Sequence, residues 1–226
     1  MIVSTNLPDE VRAGSLAELS RLELPLPPEN FPLVWDDGDA VEVRTRAELE
    51  DRAAILNVVL AYTFGMPAEA AVAWLDEAGL IGGLTAPERA YLYDGEGSHA
   101  SFALHSEALA ALGWLLSMIG RLDPAAPGAA NVLPFFPNLA DAESYRDWRA
   151  RALGAPRHPR EAAAALDLYY CLDWAYLTAE GSGTPLPGVI DSNAIGQRRW
   201  ALEWAVVFHG PHHEPPPHWE EVDLST

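Results

Sequence analysis

Apolar residues recur at helical spacing along most of the chain from Thr45 onward, and this periodicity constrains the fold more than any other feature. Thr45 stands three residues before a glutamate, the arrangement of a capping box that starts a helix. Later helices are predicted from about 141 to 153, 159 to 180 and 191 to 208. The pattern predicts a mainly α protein, a compact multi-helix domain with orthogonal or bundle-like packing.

The most apolar segment is predicted to form one long helix from about His99 to Ile119. Its leucines and alanines occupy most sides of the helix, and Trp114 lies on the flank opposite the main apolar stripe. A helix that is apolar on most sides is covered by other helices rather than lying on the surface. We therefore expect this segment to be the central helix of the domain.

Residues 1–44 differ in sequence pattern from the rest of the chain. One short amphipathic helix is predicted there, and a proline-rich stretch follows it. Residues 33–35 and Ala40–Val43 are short strand-like runs on either side of an Asp-Asp-Gly-Asp turn, which predicts a small N-terminal β-hairpin. The chain thus divides into an N-terminal extension (1–44), a helical domain (45–209) and a Pro/His-rich tail (210–226).

The chain is acidic: 33 Asp and Glu residues against 14 Lys and Arg residues give a formal net charge of −19. This charge repels nucleic acid backbones and anionic lipid headgroups, so neither nucleic acid nor membrane is expected as a partner. Cys171 is the only cysteine, which excludes an internal disulfide, and the N-terminus lacks the pattern of a signal peptide. We expect a cytoplasmic protein.

Several aromatic and charged anchors occur in an order that resembles a bacterial family named only as domain of unknown function 4272. They are Ala165–Tyr170 with Trp174, Arg198 with Ala201, Leu202 and Trp204, Trp219–Val222, Arg44–Arg52, and Ser106–Leu109 with Trp114. The resemblance covers residues 44–226 and implies a fold and a set of positions, but no activity.

The sequence departs from that family's pattern at positions that are polar in the family. Cys171 and Asp173 replace an expected Arg and His, Gln197 replaces Glu, and Glu203 replaces Asn. In the central helix, Leu104 and His105 replace an expected Trp and Arg. If these positions form a family site, the substitutions indicate that this chain has lost or rebuilt much of it.

A set of polar residues on otherwise apolar helices is the sharpest candidate for a site: Glu107, Asp167, Asp173, Arg198 and Glu203. Carboxylates among apolar neighbours are desolvated, and two such groups with different pKa values can act as an acid/base pair. The structural alternative, which the sequence favours, is that Arg198 pairs with one or two of the carboxylates and crosslinks the helices.

Two functional hypotheses follow. The favoured one is a non-enzymatic helical domain that acts through protein contacts, through self-association or as a binding module, because no catalytic or phosphate-binding motif is present. The other is a small-molecule-binding protein or hydrolase-like enzyme with a pocket between the central helix and the last two helices. Its candidate lining aromatics are Trp114, Tyr170, Trp174, Trp200 and Trp204.

No cofactor or metal site is predicted. The tail is rich in histidine, and His209, His212, His213 and His218 are weak candidate metal ligands. Their spacing matches no helix-borne metal motif, and the surrounding prolines leave nothing to hold the rings in place. Cys171 lies in the middle of a helix between apolar and aromatic residues, which is typical of an inert core thiol.

Overall fold

The structure, a computed structural model, describes residues 1–128, 132–151, 154–214 and 216–225. The strands are β1 (Val3–Ser4), β2 (Ala40–Val43) and β3 (Val206–His209). The helices are α1 (Pro8–Arg21), α2 (Arg46–Thr63), α3 (Ala68–Glu77), α4 (Ala86–Asp94), α5 (His99–Ala103), α6 (His105–Leu115), α7 (Tyr145–Arg151), α8 (Pro159–Ser182) and α9 (Ser192–Ala205). The predicted mainly α class is confirmed. Among the described residues, every helix is too short or too polar to cross a membrane.

The chain forms two compact units. The first contains Met1–Arg44, Asp123–Pro127 and Arg157–Thr226, and the second contains Thr45–Leu122 and Gly128–Pro156. A division after Arg44 coincides with the end of the predicted N-terminal extension. The three-part division 1–44, 45–209 and 210–226 stays a prediction, since the two units divide the rest of the chain elsewhere.

A three-stranded antiparallel sheet of order β1-β2-β3 lies in the first unit. Val41 of β2 is opposite Val3 of β1 on one side and Phe208 of β3 on the other. The predicted strand at residues 33–35 is wrong. Trp35 instead packs its buried indole on Phe208, with 5.2 Å between ring centroids, and donates a hydrogen bond to the carbonyl of Asn6.

In the first unit, α8 packs against both α1 and α9 and supplies much of the core, including Leu166, Leu172 and Ala175. Helix α9 begins at a cap in which Asp191 accepts a hydrogen bond from the amide of Ala194. It ends at Ala205 rather than at Phe208 as predicted, because the next four residues pair with β2. The apolar pattern of these four residues is compatible with a helix, but they form a strand because they pair with β2.

In the second unit, α2 contains a long buried run, with every residue from Arg52 to Leu60 buried. Its N-terminus has the predicted capping box of Thr45 and Glu48. The predicted helix of 99–119 is interrupted after Ala103 and ends at Leu115. The predicted helix of 141–153 begins later, at Tyr145, and its predicted end at Leu153 lies outside the described residues.

A buried ion pair also lies within the second unit, between Arg52 of α2 and Glu88 of α4. Burial alone would raise the pKa of Glu88, but the Arg52 guanidinium lowers the pKa below its usual value. His105, at the start of α6, lies near this pair, and burial lowers the pKa of its imidazole to about 4. The imidazole is therefore neutral at physiological pH.

Candidate functional site

Asp167 in α8 is held by two side chains of α1. It accepts hydrogen bonds from Nη2 of Arg12 at 2.8 Å and from Oγ of Ser15 at 2.6 Å. Arg12 also donates to the carbonyls of Phe31 and Pro32, at 3.3 and 2.9 Å. The carboxylate is thus fully engaged in joining α1, α8 and the proline-rich segment.

Asp173 and Glu203 are brought together by Arg199, which is 1% exposed. The Arg199 guanidinium lies 2.7 Å from Asp173 and 3.3 Å from Glu203. Burial raises the pKa of the Glu203 carboxyl, against the opposing effect of Arg199. Of the predicted set, these two carboxylates come closest to the acid/base pair that the sequence suggested, and they share one cation.

The predicted pairing of Arg198 with one or two of the carboxylates stays a prediction. This arginine is fully buried and donates to the carbonyls of Asp123, at 2.5 Å, and Ala126, at 2.7 Å. Two arginines outside the predicted set also pair with its carboxylates, Arg12 with Asp167 and Arg199 with Asp173. Arg198 therefore holds the 123–127 segment within the first unit.

Glu107 belongs to the second unit, unlike the other four members of the predicted set. Both oxygens of its carboxylate lie 3.2 Å from the amide nitrogen of Gly128, which donates to them. Trp114, also of the second unit, is half-buried. The predicted polar network is thus distributed over both units.

The candidate aromatics of the first unit form two clusters. Tyr170 and Trp174 of α8 pack against Phe31, with ring centroids 4.8 and 5.9 Å away. The Tyr170 ring is flanked by the guanidinium groups of Arg12 and Arg199, 5.7 and 4.7 Å from its centroid. In the second cluster, Trp200 donates a hydrogen bond to the carbonyl of Trp219, and Trp204 contacts the Trp219 ring edge-on.

The histidines of the tail separate into two pairs with different surroundings. His209, the last residue of β3, lies 3.0 Å from Glu42 of β2, and His213 lies 2.8 Å from Asp39, so His213 fastens the tail to the turn before β2. His212 and His218 are exposed. In the part of the chain that the structure describes, three or more His, Cys, Asp or Glu residues nowhere converge as a metal site.

A cavity of about 630 Å³ opens within the second unit, and its described lining residues include none of the residues predicted for a site. Most of its lining is apolar, and Phe64 at its rim is 74% exposed. The lining residues are Asn57, Leu60, Ala61, Phe64, Ser106, Leu133, Pro134, Phe136, Pro137, Asn138 and Leu139. Its volume falls within the roughly 300–1,000 Å³ that is typical of small-molecule sites.

Three hydrogen bonds fix the 133–139 wall of this cavity through successive backbone carbonyls. Trp148 Nε1 donates to the carbonyl of Phe135 at 2.8 Å, and Arg151 donates to that of Phe136 at 3.0 Å. Asn57 Nδ2 donates to the carbonyl of Pro137, also at 3.0 Å. Since the backbone is bound in this way, the wall is held in place and the cavity is preformed.

Sequence reasoning missed this cavity, because its wall lies in a segment rich in proline and glycine that carries no helical pattern. One signal was available. Asn57 is the only polar residue between Ala53 and Leu60, in the most buried stretch of α2. An amide in such a position must find a partner or face a cavity.

The model of the family described as domain of unknown function (DUF4272) matches residues 12–222. The match starts well before the resemblance noted at residue 44, so it includes Arg12 as well as the cavity. No curated protein and no solved structure matches the chain. The chain is a member of the DUF4272 family.

Proposed function

We propose that the second unit binds a small, uncharged, largely apolar molecule in its cavity, and that the protein acts as a binding protein rather than as an enzyme. The observation that carries this proposal is the preformed apolar cavity whose wall is fastened through the carbonyls of Phe135, Phe136 and Pro137. An apolar space held open in water is unfavourable until apolar surface fills it.

The lining supports an uncharged occupant. Its described residues include no Asp, Glu, Lys, Arg or His, so neither an anion nor a cation would find a partner among them. The formal net charge of −19 further opposes the approach of an anion such as a fatty acid. A neutral molecule loses less solvation free energy than an ion when it moves from water into this site.

The state of the buried carboxylates favours binding over catalysis. Asp167 is bound by Arg12, and Asp173 and Glu203 share Arg199. Each of these groups accepts a hydrogen bond from a buried arginine, which accounts for its burial without a catalytic role. We also infer a cytoplasmic protein, which a single buried thiol at Cys171 supports.

The proposal is tested with Nile red, an uncharged dye whose fluorescence rises in apolar surroundings. The full chain should bind it in a saturable way with one site. Ala61→Phe, which places an aromatic ring in the cavity, should weaken binding by about tenfold or more, equal to about 1.4 kcal/mol. Native mass spectrometry of the purified protein would then identify any molecule that it retains.

Ala73→Phe is the matched control, because Ala73 is exposed on α3 and does not line the cavity. Its affinity for the dye should equal that of the unaltered chain. The proposal would be abandoned if the dye bound without saturation, or if both variants bound it as well as the unaltered chain. Displacement of the dye only by apolar peptides would identify a protein-binding groove instead.

A further inference from the structure

We infer that the occupant of this cavity carries a hydroxyl group, as an alcohol or phenol does, which donates a hydrogen bond to Oδ1 of Asn57. This inference rests on the proposed function and names the chemical class of its ligand.

The Asn57 carboxamide has a determined orientation. Its nitrogen lies 3.0 Å from the carbonyl oxygen of Pro137, and a carbonyl can only accept a hydrogen bond. The nitrogen of Asn57 must therefore face Pro137, and the oxygen Oδ1 faces elsewhere. Exchange of the two amide atoms would set two acceptors against each other.

Within the described part of the chain, Oδ1 of Asn57 accepts no hydrogen bond, although the residue is only 7% exposed. The oxygen still keeps accessible surface, since it is not among the fully buried polar atoms that lack a partner. The exposed surface of Asn57 lines the cavity. An amide oxygen in apolar surroundings is costly unless a donor satisfies it, so the site calls for a donor.

Ser106 places a second polar group in the cavity. Its hydroxyl makes no hydrogen bond within the described residues, although a serine in a helix commonly donates to the carbonyl four residues earlier. This hydroxyl can donate as well as accept. The cavity thus offers an acceptor at Asn57 and a donor at Ser106.

A ligand hydroxyl matches this pair of groups, because it donates one hydrogen bond and accepts others. An alcohol or phenol also keeps the ligand uncharged, as the lining requires. Among the described lining residues, a carboxylic acid would ionise and find no cation, and an ammonium group would find no carboxylate. A pure hydrocarbon would leave Oδ1 of Asn57 without a partner.

The test compares three probes of similar size: para-propylphenol, its methyl ether and propylbenzene. Isothermal titration calorimetry with the full chain should give a dissociation constant about tenfold lower for the phenol than for the ether. The ether keeps the oxygen but lacks the donor, so the comparison isolates the O–H group. Equal affinity for all three would overturn the inference and leave the proposed function standing. If none of the three binds, both are wrong.

Two variants locate the preference at Asn57. Asn57→Leu, which is similar in size and lacks Oδ1, should bind propylbenzene and lose the preference for the phenol. Because this variant also loses the bond to Pro137, Arg151→Met serves as its control: it removes a neighbouring wall bond, to Phe136, and leaves Asn57 intact.

Arg151→Met should retain the tenfold preference. Ser106→Ala, which removes only the hydroxyl, should reduce the affinity for the phenol and the ether alike. A preference for the phenol that persisted in Asn57→Leu would overturn the assignment.

Discussion

Gly113 of α6 lies directly against the side chain of Val132, so that a methyl group built on Gly113 would come within 2.2 Å of Val132 Cγ2. The same methyl group would lie 3.4 Å from the ring of Phe136, which lines the cavity. The missing side chain of this glycine therefore provides the space in which the cavity wall packs.

Gly113→Ala should destabilise the protein by about 1–3 kcal/mol, since the β-branched Val132 cannot easily rotate away and must shift with its backbone. The opposite result would follow from helix propensity alone, which favours alanine by about 1 kcal/mol. Urea unfolding followed by circular dichroism measures the difference. Gly14→Ala in α1 is the matched control: nothing lies within 4 Å of its added methyl group, so it should stabilise the protein.

Asp167→Asn should cost about 3 kcal/mol of stability, because it leaves the buried Arg12 guanidinium without a counter-charge. The asparagine can still accept a hydrogen bond, so the loss reports the charge rather than the contact. Glu18→Gln, which breaks the exposed pair with Arg21, should leave the urea midpoint unchanged. Equal effects of the two substitutions would contradict a special role for the buried pair.

His105 should make the stability depend on pH. Its pKa is about 4 in the folded chain, because of burial, and about 6.5 in an unfolded chain. The unfolded state therefore binds more protons as the pH falls from about 6.5 to about 4, and the stability declines across that window. The contribution is present in full above pH 6.5.

His105→Leu should remove about 2 kcal/mol of the decline measured between about pH 7 and about pH 4.5. Urea unfolding of both proteins at the two pH values provides the comparison. An identical decline in both would show that His105 takes up its proton equally in the folded and unfolded states.

Cys171 should be inert in the native protein. Burial, with a further contribution from Asp167, raises the pKa of its thiol to about 12, so that almost no thiolate forms near neutral pH. An aromatic disulfide reagent should label the folded chain only as fast as it unfolds, and should label one thiol per chain at once in guanidinium. Rapid labelling of the native protein would contradict this expectation.

Local features were predictable from the sequence because they depend on residues a few positions apart. The capping box at Thr45 joins a side chain to the amide three residues on, and Asp191 caps α9 over the same distance. The apolar periodicity also predicted α8 to within about two residues of its observed end at Ser182.

Features that join distant parts of the chain were not predictable in this way. Residues 33–35 have the composition of a strand, yet β2 pairs with β1 and β3, and Trp35 is buried against Phe208 instead. Arg198 and Arg199 are adjacent in the sequence, and the turn of a helix gives them different partners. Arg199 reaches Asp173 and Glu203, whereas Arg198 donates to the carbonyls of Asp123 and Ala126.

By itself the sequence determined that this is a mainly helical, acidic chain, and it indicated the family through its aromatic and charged anchors. Tertiary structure decided which arginine neutralises which carboxylate, since Arg12 and Asp167 are 155 residues apart. It also decided that the preformed cavity lies beside Asn57 rather than among the candidate aromatics. Periodicity reports which side of a helix is apolar, whereas a cavity depends on how separate segments meet, and no local pattern encodes that meeting.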